Sequence, residues 1–374
     1  MSAQTSAPTP PTPPAPQTGP TPPRSAWSRA AAAVTPARVL AVGYVVAGFV
    51  LVGLLILATG GDLGVAIRGW FTGAFGTGIS LSQTLIYAAP LVLIALGVAP
   101  ALRAGIISVG AEGQMVVGAI LSTIVALWLL PDAPAWIALP LGALAGAIGG
   151  AAWAALPALA KNAWGVNEIL FTLLANYIAG YLLSFLLRTS LKDPAGAATP
   201  RSADLPDAYL LGTFGGVGRL HLGVLLVLAL ALVALWWSRT RWDFVLGLSG
   251  DRPELAARLG FTRGRTVLLT FLVSGAAAGL AGWMQLAGVA DRLIPGIASG
   301  VGFSGLAVAV LGRGNPIGIV AAGIAYASLT TGSSGIELAT GTTPASIGAI
   351  TQGILLAAAA LAVAVNLRSR RRGR

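Results

Sequence analysis

The chain contains a series of apolar runs that are too long for a soluble fold. The first covers residues 39–59 and holds no charged side chain. At about 1.5 Å per residue, an unbroken helix of this length spans roughly 30 Å, the thickness of a bilayer's hydrocarbon core. Comparable runs follow, so we predict an all-α, polytopic membrane helix bundle.

Composition supports a lipid-facing exterior. Hydrophobic residues make up 56% of the chain and charged residues only 9%, whereas a soluble globular protein carries about 25% charged residues. The 50 glycines would be unusual in soluble helices, but membrane helices associate through small residues that allow close backbone approach. The glycine content therefore favours membrane packing.

The apolar runs predict about ten transmembrane helices. They cover residues 39–59, 82–101, 110–130, 135–156, 166–187, 220–237, 267–286, 297–311, 316–330 and 345–365. The eighth run is Gly-rich and shorter than the roughly 20 residues that a full crossing needs. We therefore expect residues 297–311 to form a broken or re-entrant helix that lines a cavity.

The distribution of basic residues predicts the orientation. With the amino terminus inside, 17 of the 23 Lys and Arg residues fall on the cytoplasmic side, as the positive-inside rule requires. An even number of spans then places both termini in the cytoplasm. The net charge of +11 thus has a membrane explanation, and we expect no nucleic-acid partner because no basic soluble face exists.

The boundaries of the membrane domain follow from the same patterns. Residues 1–38 are rich in Pro and Thr and are predicted to form a disordered cytoplasmic tail. The membrane domain covers residues 39–366, and residues 367–374 form a basic cytoplasmic tail. Residues 188–219 are predicted as an extracytoplasmic loop and residues 238–265 as a cytoplasmic loop.

The cytoplasmic loop contains the pattern of a short surface helix. Pro253 stands near the first helical position and Gly260 at the expected C-cap, which is the usual placement of these two residues at helix ends. We expect this helix to lie on the membrane surface, where a soluble partner can reach it.

No sequence pattern points to an enzymatic site. The chain has no cysteine and one histidine, His221, so neither a thiolate site nor a His-based metal site is expected. Neither of the two lysines, Lys161 and Lys192, follows a glycine, which excludes a P-loop. We predict no catalytic residue, no metal and no cofactor.

A few polar residues fall inside apolar runs. They are Glu112 with Gln114, Asn167 with Glu168, and Asn176 with Tyr177. Such residues are costly at membrane depth and often line a transport pathway. The alternative is helix capping or interhelical hydrogen bonding, because Glu112 and Glu168 both begin predicted helices at the cytoplasmic side, where a carboxylate suits the helix dipole.

Three separated stretches resemble permease subunits of bacterial nucleoside ABC importers. They are residues 105–114, residues 167–178 with their N-E and L-A-N-Y motifs, and residues 302–318. The wider superfamily also contains simple-sugar and branched-chain amino-acid permeases, and the E-G-Q form at Glu112, Gly113 and Gln114 favours nucleosides. The chain departs from the common Asn-Ile-Gly before this motif, where it has Ser108, Val109 and Gly110.

The resemblance implies a set of partners and roles. The chain would form a translocation pathway by alternating access with a second permease subunit, powered by a cytoplasmic ATP-binding subunit and supplied by an extracytoplasmic substrate-binding lipoprotein in the cell membrane. The residues implied to couple to the ATPase are Asp251, Arg252, Pro253, Glu254, Ala256, Ala257 and Gly260. Those predicted for the pathway and its small-molecule substrate are Glu112, Gln114, Asn167, Glu168, Asn176, Tyr177, Phe303 and Ser304.

Two alternatives remain open. The first is a simple-sugar or branched-chain amino-acid permease of the same type. The second is a secondary carrier that acts alone, although a proton-coupled carrier needs an ionisable group accessible from both sides in turn. The candidate carboxylates are predicted near one end of their helices, which disfavours that alternative.

Overall fold

The computed structural model describes residues 36–341 except 59, 197–198 and 216–217, together with residues 350, 353–354, 357–358 and 361. These residues are mainly helical, with two isolated β-bridges. The helices are α1 (Pro36–Ala58), α2 (Leu63–Phe75), α3 (Gly78–Arg103), α4 (Ala111–Ile124), α5 (Ala135–Trp164), α6 (Glu168–Arg188), α7 (Gly223–Trp237), α8 (Arg241–Asp251), α9 (Pro253–Arg258), α10 (Arg263–Gln285), α11 (Val301–Leu311) and α12 (Pro316–Thr340). The π-helical turns Val125–Leu129 and Leu286–Ala290 extend α4 and α10.

Six of the described helices are long and apolar enough to cross a bilayer, and up to eight crossings result if two bent pairs each count as one. The pairs are α1 with α2, bent by 114°, and α7 with α8, bent by 73°. The predicted helical membrane bundle is confirmed, but the predicted count of ten is not. Residues 1–35, most of residues 345–365 and all of residues 367–374 lie outside the described residues.

Helix α2 was not predicted, since its residues were placed in a connection between two spans. Asp62 caps it by accepting the Val65 N–H at 2.9 Å. Its small-residue face packs against α12 so closely that a Cβ at Gly73 would come within 2.6 Å of the Gly335 backbone. Helix α12 runs to Thr340 rather than ending near residue 330, which gives α2 this packing surface.

Helix α10 forms the centre of the bundle and packs against α3, α4 and α5. Its contact with α5 depends on glycines, because a Cβ at Gly279 would lie 2.0 Å from the Gly146 carbonyl oxygen. A Cβ at Gly275 would lie 2.4 Å from the Gly150 oxygen. The small-residue packing expected from composition is therefore present where the helices are closest.

The charged residues separate to two ends of the bundle. At the first, which we call the basic end, Arg103 pairs with Asp243 and Asn162 donates to the Gly264 carbonyl at 2.9 Å. The opposite end holds the ion pairs Arg201–Asp193 and Arg292–Asp204. Each of these contacts joins residues that the sequence analysis placed on the same side of the membrane. That the basic end faces the cytoplasm stays a prediction of the positive-inside rule.

Candidate functional site

The carboxylate of Glu112 caps the start of α11. One of its oxygens, Oε1, accepts the Gly300 N–H at 2.7 Å, and Oε2 accepts the Gly302 N–H at 2.8 Å. The first N–H groups of a helix have no partner within the helix and carry a partial positive charge. Glu112 therefore supplies to α11 the anionic cap that α11 lacks in its own sequence, where Gly300 holds the cap position.

Glycine makes this junction possible. A Cβ at Gly302 would lie 2.2 Å from the backbone nitrogen of Glu112, so α11 reaches α4 only because that side chain is absent. Gly300 has a φ of +83°, a conformation that glycine adopts without strain. Gly302 is thus required by close packing and Gly300 by its backbone conformation.

The junction lies away from the basic end of the bundle. Asn176 hydrogen bonds with Gly113 and is eight residues, or about 12 Å, beyond the start of α6, where Glu168 pairs with Lys161. With 11 residues, α11 is only about 16 Å long and crosses about half of a bilayer. A short helix is therefore present within residues 297–311, whereas its part in a broken or re-entrant crossing stays a prediction. Glu112 lies in the first turn of α4, as the sequence predicted.

Asn176 holds the backbone at the start of α4. Its Oδ1 accepts the Gly113 N–H and its Nδ2 donates to the Val109 carbonyl, both at 2.9 Å. Gln114 is buried beside them, with only 1% of its surface exposed, and its Oε1 has no hydrogen-bond partner among the described residues. The structure therefore brings Glu112, Gln114 and Asn176 together at one junction.

The other predicted pathway residues lie elsewhere. Asn167 caps α6 by accepting the Ile169 N–H at 2.9 Å, and Glu168 in the next position pairs with Lys161. The Ser304 hydroxyl and the Tyr326 hydroxyl share a hydrogen bond of 2.8 Å that links α11 to α12. Tyr177 and Phe303 are exposed, at 68% and 43%.

These contacts support the capping alternative for Glu112, Asn167 and Asn176. The part played by all eight residues in a transport pathway stays a prediction. Tyr177 and Phe303 have exposed side chains that form no hydrogen bond within the described part of the chain. Among the described residues, no three His, Cys, Asp or Glu side chains are placed to hold a metal ion.

A second feature, α9, projects from the basic end. Of the predicted coupling residues, only Ala256 is buried, at 0% exposure. The exposed ones are Asp251, Arg252, Pro253, Glu254, Ala257 and Gly260. Two leucines of the same segment, Leu255 and Leu259, are 43% and 56% exposed, so this surface combines charge with uncovered apolar side chains.

The segment 238–265 is anchored to the bundle by residues that the sequence did not single out. Arg103, at the end of α3, pairs with Asp243 of α8. Arg263 donates to the Ala104 carbonyl at 3.0 Å, and a Cβ at Gly250 would lie 2.7 Å from the Arg103 carbonyl. The sequence signal was an arginine at the edge of an apolar run, Arg103 after one run and Arg263 before another, and such a signal does not identify the partner.

A family comparison agrees with this arrangement. The model of the family described as "Branched-chain amino acid transport system / permease component" matches residues 80–364. The chain belongs to this family. The permease is therefore a multi-pass protein of the cell membrane and a component of an ABC transport system.

Three relatives show the range of the family. The permease is 34% identical to the glucose ABC transporter permease protein TsgB13 of Haloferax volcanii, over 82% of this chain and 85% of the relative. It is 30% identical to the guanosine ABC transporter permease protein NupP of Bacillus subtilis, over 77% and 83%. It is also 30% identical to the nucleoside ABC transporter permease protein NupB of Lactococcus lactis, over 78% and 82%.

Proposed function

We propose that this permease is the transmembrane subunit of an ATP-driven importer for a neutral polar solute, most specifically a nucleoside. A second permease subunit, a cytoplasmic ATP-binding subunit and an extracytoplasmic substrate-binding lipoprotein complete the transporter. The observation that carries the proposal is the exposed helix α9, which packs on the bundle through Ala256 and adjoins α8, where Asp243 pairs with Arg103.

Helix α9 is suited to receive a push from a soluble protein. Exposed Leu255 in α9 and Leu259 directly after it offer apolar contacts, and Glu254 and Arg258 offer charges of both signs. Buried Ala256 leaves no space for α9 to move independently of its neighbours. A displacement of α9 is therefore transmitted as a rigid-body movement through α8 and the Arg103–Asp243 pair to α3.

The capped junction favours a neutral substrate. In many transporters, the exposed N-terminus of a half-helix attracts an anionic group of the substrate. Here the Glu112 carboxylate already occupies the N-terminus of α11, so a substrate carboxylate would meet a like charge. This disfavours the branched-chain amino-acid alternative and is compatible with nucleosides and simple sugars.

Between these two neutral classes, the proposal rests on the relatives and on aromatic groups. NupP and NupB are named for guanosine and nucleosides, and the exposed rings of Tyr177 and Phe303 are suited to stack on a base. A simple sugar is the second candidate, favoured by the glucose permease of Haloferax volcanii.

Uptake of labelled guanosine, uridine, glucose and leucine by cells with and without this gene tests the substrate. Loss of guanosine and uridine uptake alone supports the proposal, and loss of glucose uptake alone supports the sugar alternative. If nucleoside uptake survives the deletion, the nucleoside assignment is wrong.

The purified chain in sealed vesicles tests the subunit assignment. We expect no gradient-driven transport until the ATP-binding subunit and ATP are added. Transport by the chain alone would instead establish a stand-alone carrier.

A further inference from the structure

A groove of about 840 Å³ opens between α7 and α10 at the basic end of the bundle. Its floor is the buried face of α3, from Leu93 to Pro100. Helix α7 packs against α3 and α12 rather than against α10, which leaves the space between α7 and α10 unfilled by the described residues.

The groove has the length and lining of a site for an acyl chain. On α10, its lining runs from Arg265 through Leu269, Val273 and Ala276 to Leu280, a stripe at helical spacing that is about 22 Å long. The stripe is longer than one leaflet, which is half of a hydrocarbon core of about 30 Å, and so it can accommodate the length of an acyl chain. Val273 is 50% exposed and Leu269 is 43% exposed, so the groove is open along the outer surface of α10.

The mouth of the groove has the chemistry of a lipid headgroup region. Trp237 and Trp242 line it, and tryptophan is enriched where a bilayer meets water. Arg103 is neutralised by Asp243, whereas Arg265 forms no ion pair or side-chain hydrogen bond within the described part of the chain. One uncompensated cation therefore stands at the apolar groove, where it would attract an anionic headgroup.

The apolar walls and the single uncompensated cation at the mouth match the two parts of an anionic phospholipid, its acyl chain and its headgroup. We propose that this groove is a binding site for an anionic phospholipid, with an acyl chain between α7 and α10 and the headgroup phosphate at Arg265. This inference is independent of the substrate that the permease carries.

Lipid retention by the full-length chain tests the site. The chain is purified in detergent and titrated with phosphatidylglycerol or with phosphatidylcholine of the same acyl chains, and bound lipid is counted by native mass spectrometry. We expect the wild type to retain phosphatidylglycerol more strongly. Arg265→Gln should weaken phosphatidylglycerol binding about fivefold, as expected for one cation near a headgroup, and leave phosphatidylcholine unchanged.

Matched variants separate the groove from the general surface. Ala276→Phe fills the groove and should abolish retention of both lipids, whereas Ala229→Phe on the exposed face of α7 should not. Arg239→Gln is the control for Arg265→Gln, since Arg239 is exposed near the same end and does not line the groove. If Ala276→Phe fails to fold, Val273→Phe at a half-exposed position of the same wall replaces it.

Three results would overturn the proposal. Two concern retention: equal retention of both lipids by the wild type, and unchanged retention in the groove-filling variant. The third comes from a photo-crosslinker at position 273 in native membranes. Crosslinks to lipid support the site, and crosslinks to another polypeptide would show that a protein occupies the groove.

Discussion

Glu112 and Gly302 are 190 positions apart in the chain, yet the Glu112 carboxylate accepts the Gly302 N–H at 2.8 Å. The same carboxylate accepts the Gly300 N–H. One side chain at the start of α4 thus fixes where a half-crossing helix begins. Backbone N–H groups at membrane depth need such partners, because lipid offers none.

Removal of this cap should destabilise the protein. Glu112→Ala leaves two part-buried N–H groups at the start of α11 without an acceptor, which we expect to cost about 1–3 kcal/mol. Glu112→Gln keeps one acceptor oxygen and should cost about half as much. Thermal unfolding in detergent, followed by tryptophan fluorescence, measures both. Glu254→Ala on exposed α9 is the control, and an unfolding temperature for Glu112→Ala equal to that of this control would show that the cap is unimportant.

The glycine contact between α5 and α10 should be sensitive to a single methyl group. A Cβ at Gly279 would lie 2.0 Å from the Gly146 oxygen, whereas a Cβ at Gly180 would point into open space within the described part of the chain. We expect Gly279→Ala to destabilise the protein by about 1–3 kcal/mol. Gly180→Ala should be neutral or stabilise α6 by up to about 1 kcal/mol. Thermal unfolding of the two variants side by side checks this, and equal effects would contradict the packing described here.

The exposed surface of α9 should be required for binding of the ATP-binding subunit. Leu255→Ser removes an apolar side chain that is 43% exposed, so we expect the affinity for that subunit to fall about tenfold with little change in unfolding temperature. Leu338→Ser, at a leucine that is 86% exposed on α12, is the matched control. Co-purification at increasing salt measures the affinity, and normal assembly of the Leu255 variant would argue that α9 is a plain connector.

The loop at the opposite end should weaken in acid. A hydrogen bond from the Ala195 N–H and one from the Arg201 side chain hold the pKa of Asp193 below its ordinary value of 3.8. The ionised carboxylate therefore stabilises the loop above about pH 3.8, and this stabilisation is lost as the pH falls through the lower, folded pKa. Amide exchange at Ala195, compared between wild type and Asp193→Asn, measures the effect.

The comparison with Asp193→Asn carries its own control, because both proteins share the intrinsic pH dependence of exchange. The wild-type amide should be better protected than the variant amide above about pH 3.8, and the two should converge only below the lower, folded pKa of Asp193. A constant difference across that range would exclude ionisation of Asp193 as the cause.

The segments that enter the membrane were predictable from single stretches of sequence. An apolar run of about 20 residues partitions into lipid whatever surrounds it, so most spans and the short helix within residues 297–311 could be placed. The ends of α9 were also readable, since Pro253 and Gly260 act locally. Helix α2 was missed because its buried face consists of small residues, which become a packing surface only where they contact Gly335 of α12.

The sequence by itself determined the class of the molecule, its family and the short helix at the basic end, because hydropathy, helix-end signals and motifs are properties of contiguous residues. Tertiary structure alone decided which groups the motif residues contact. Glu112 could line a pathway or cap a helix, and only the approach of Gly300 and Gly302 settles its contact. The groove at Arg265 likewise exists only because α7 and α10 fold apart, a separation that no local pattern encodes.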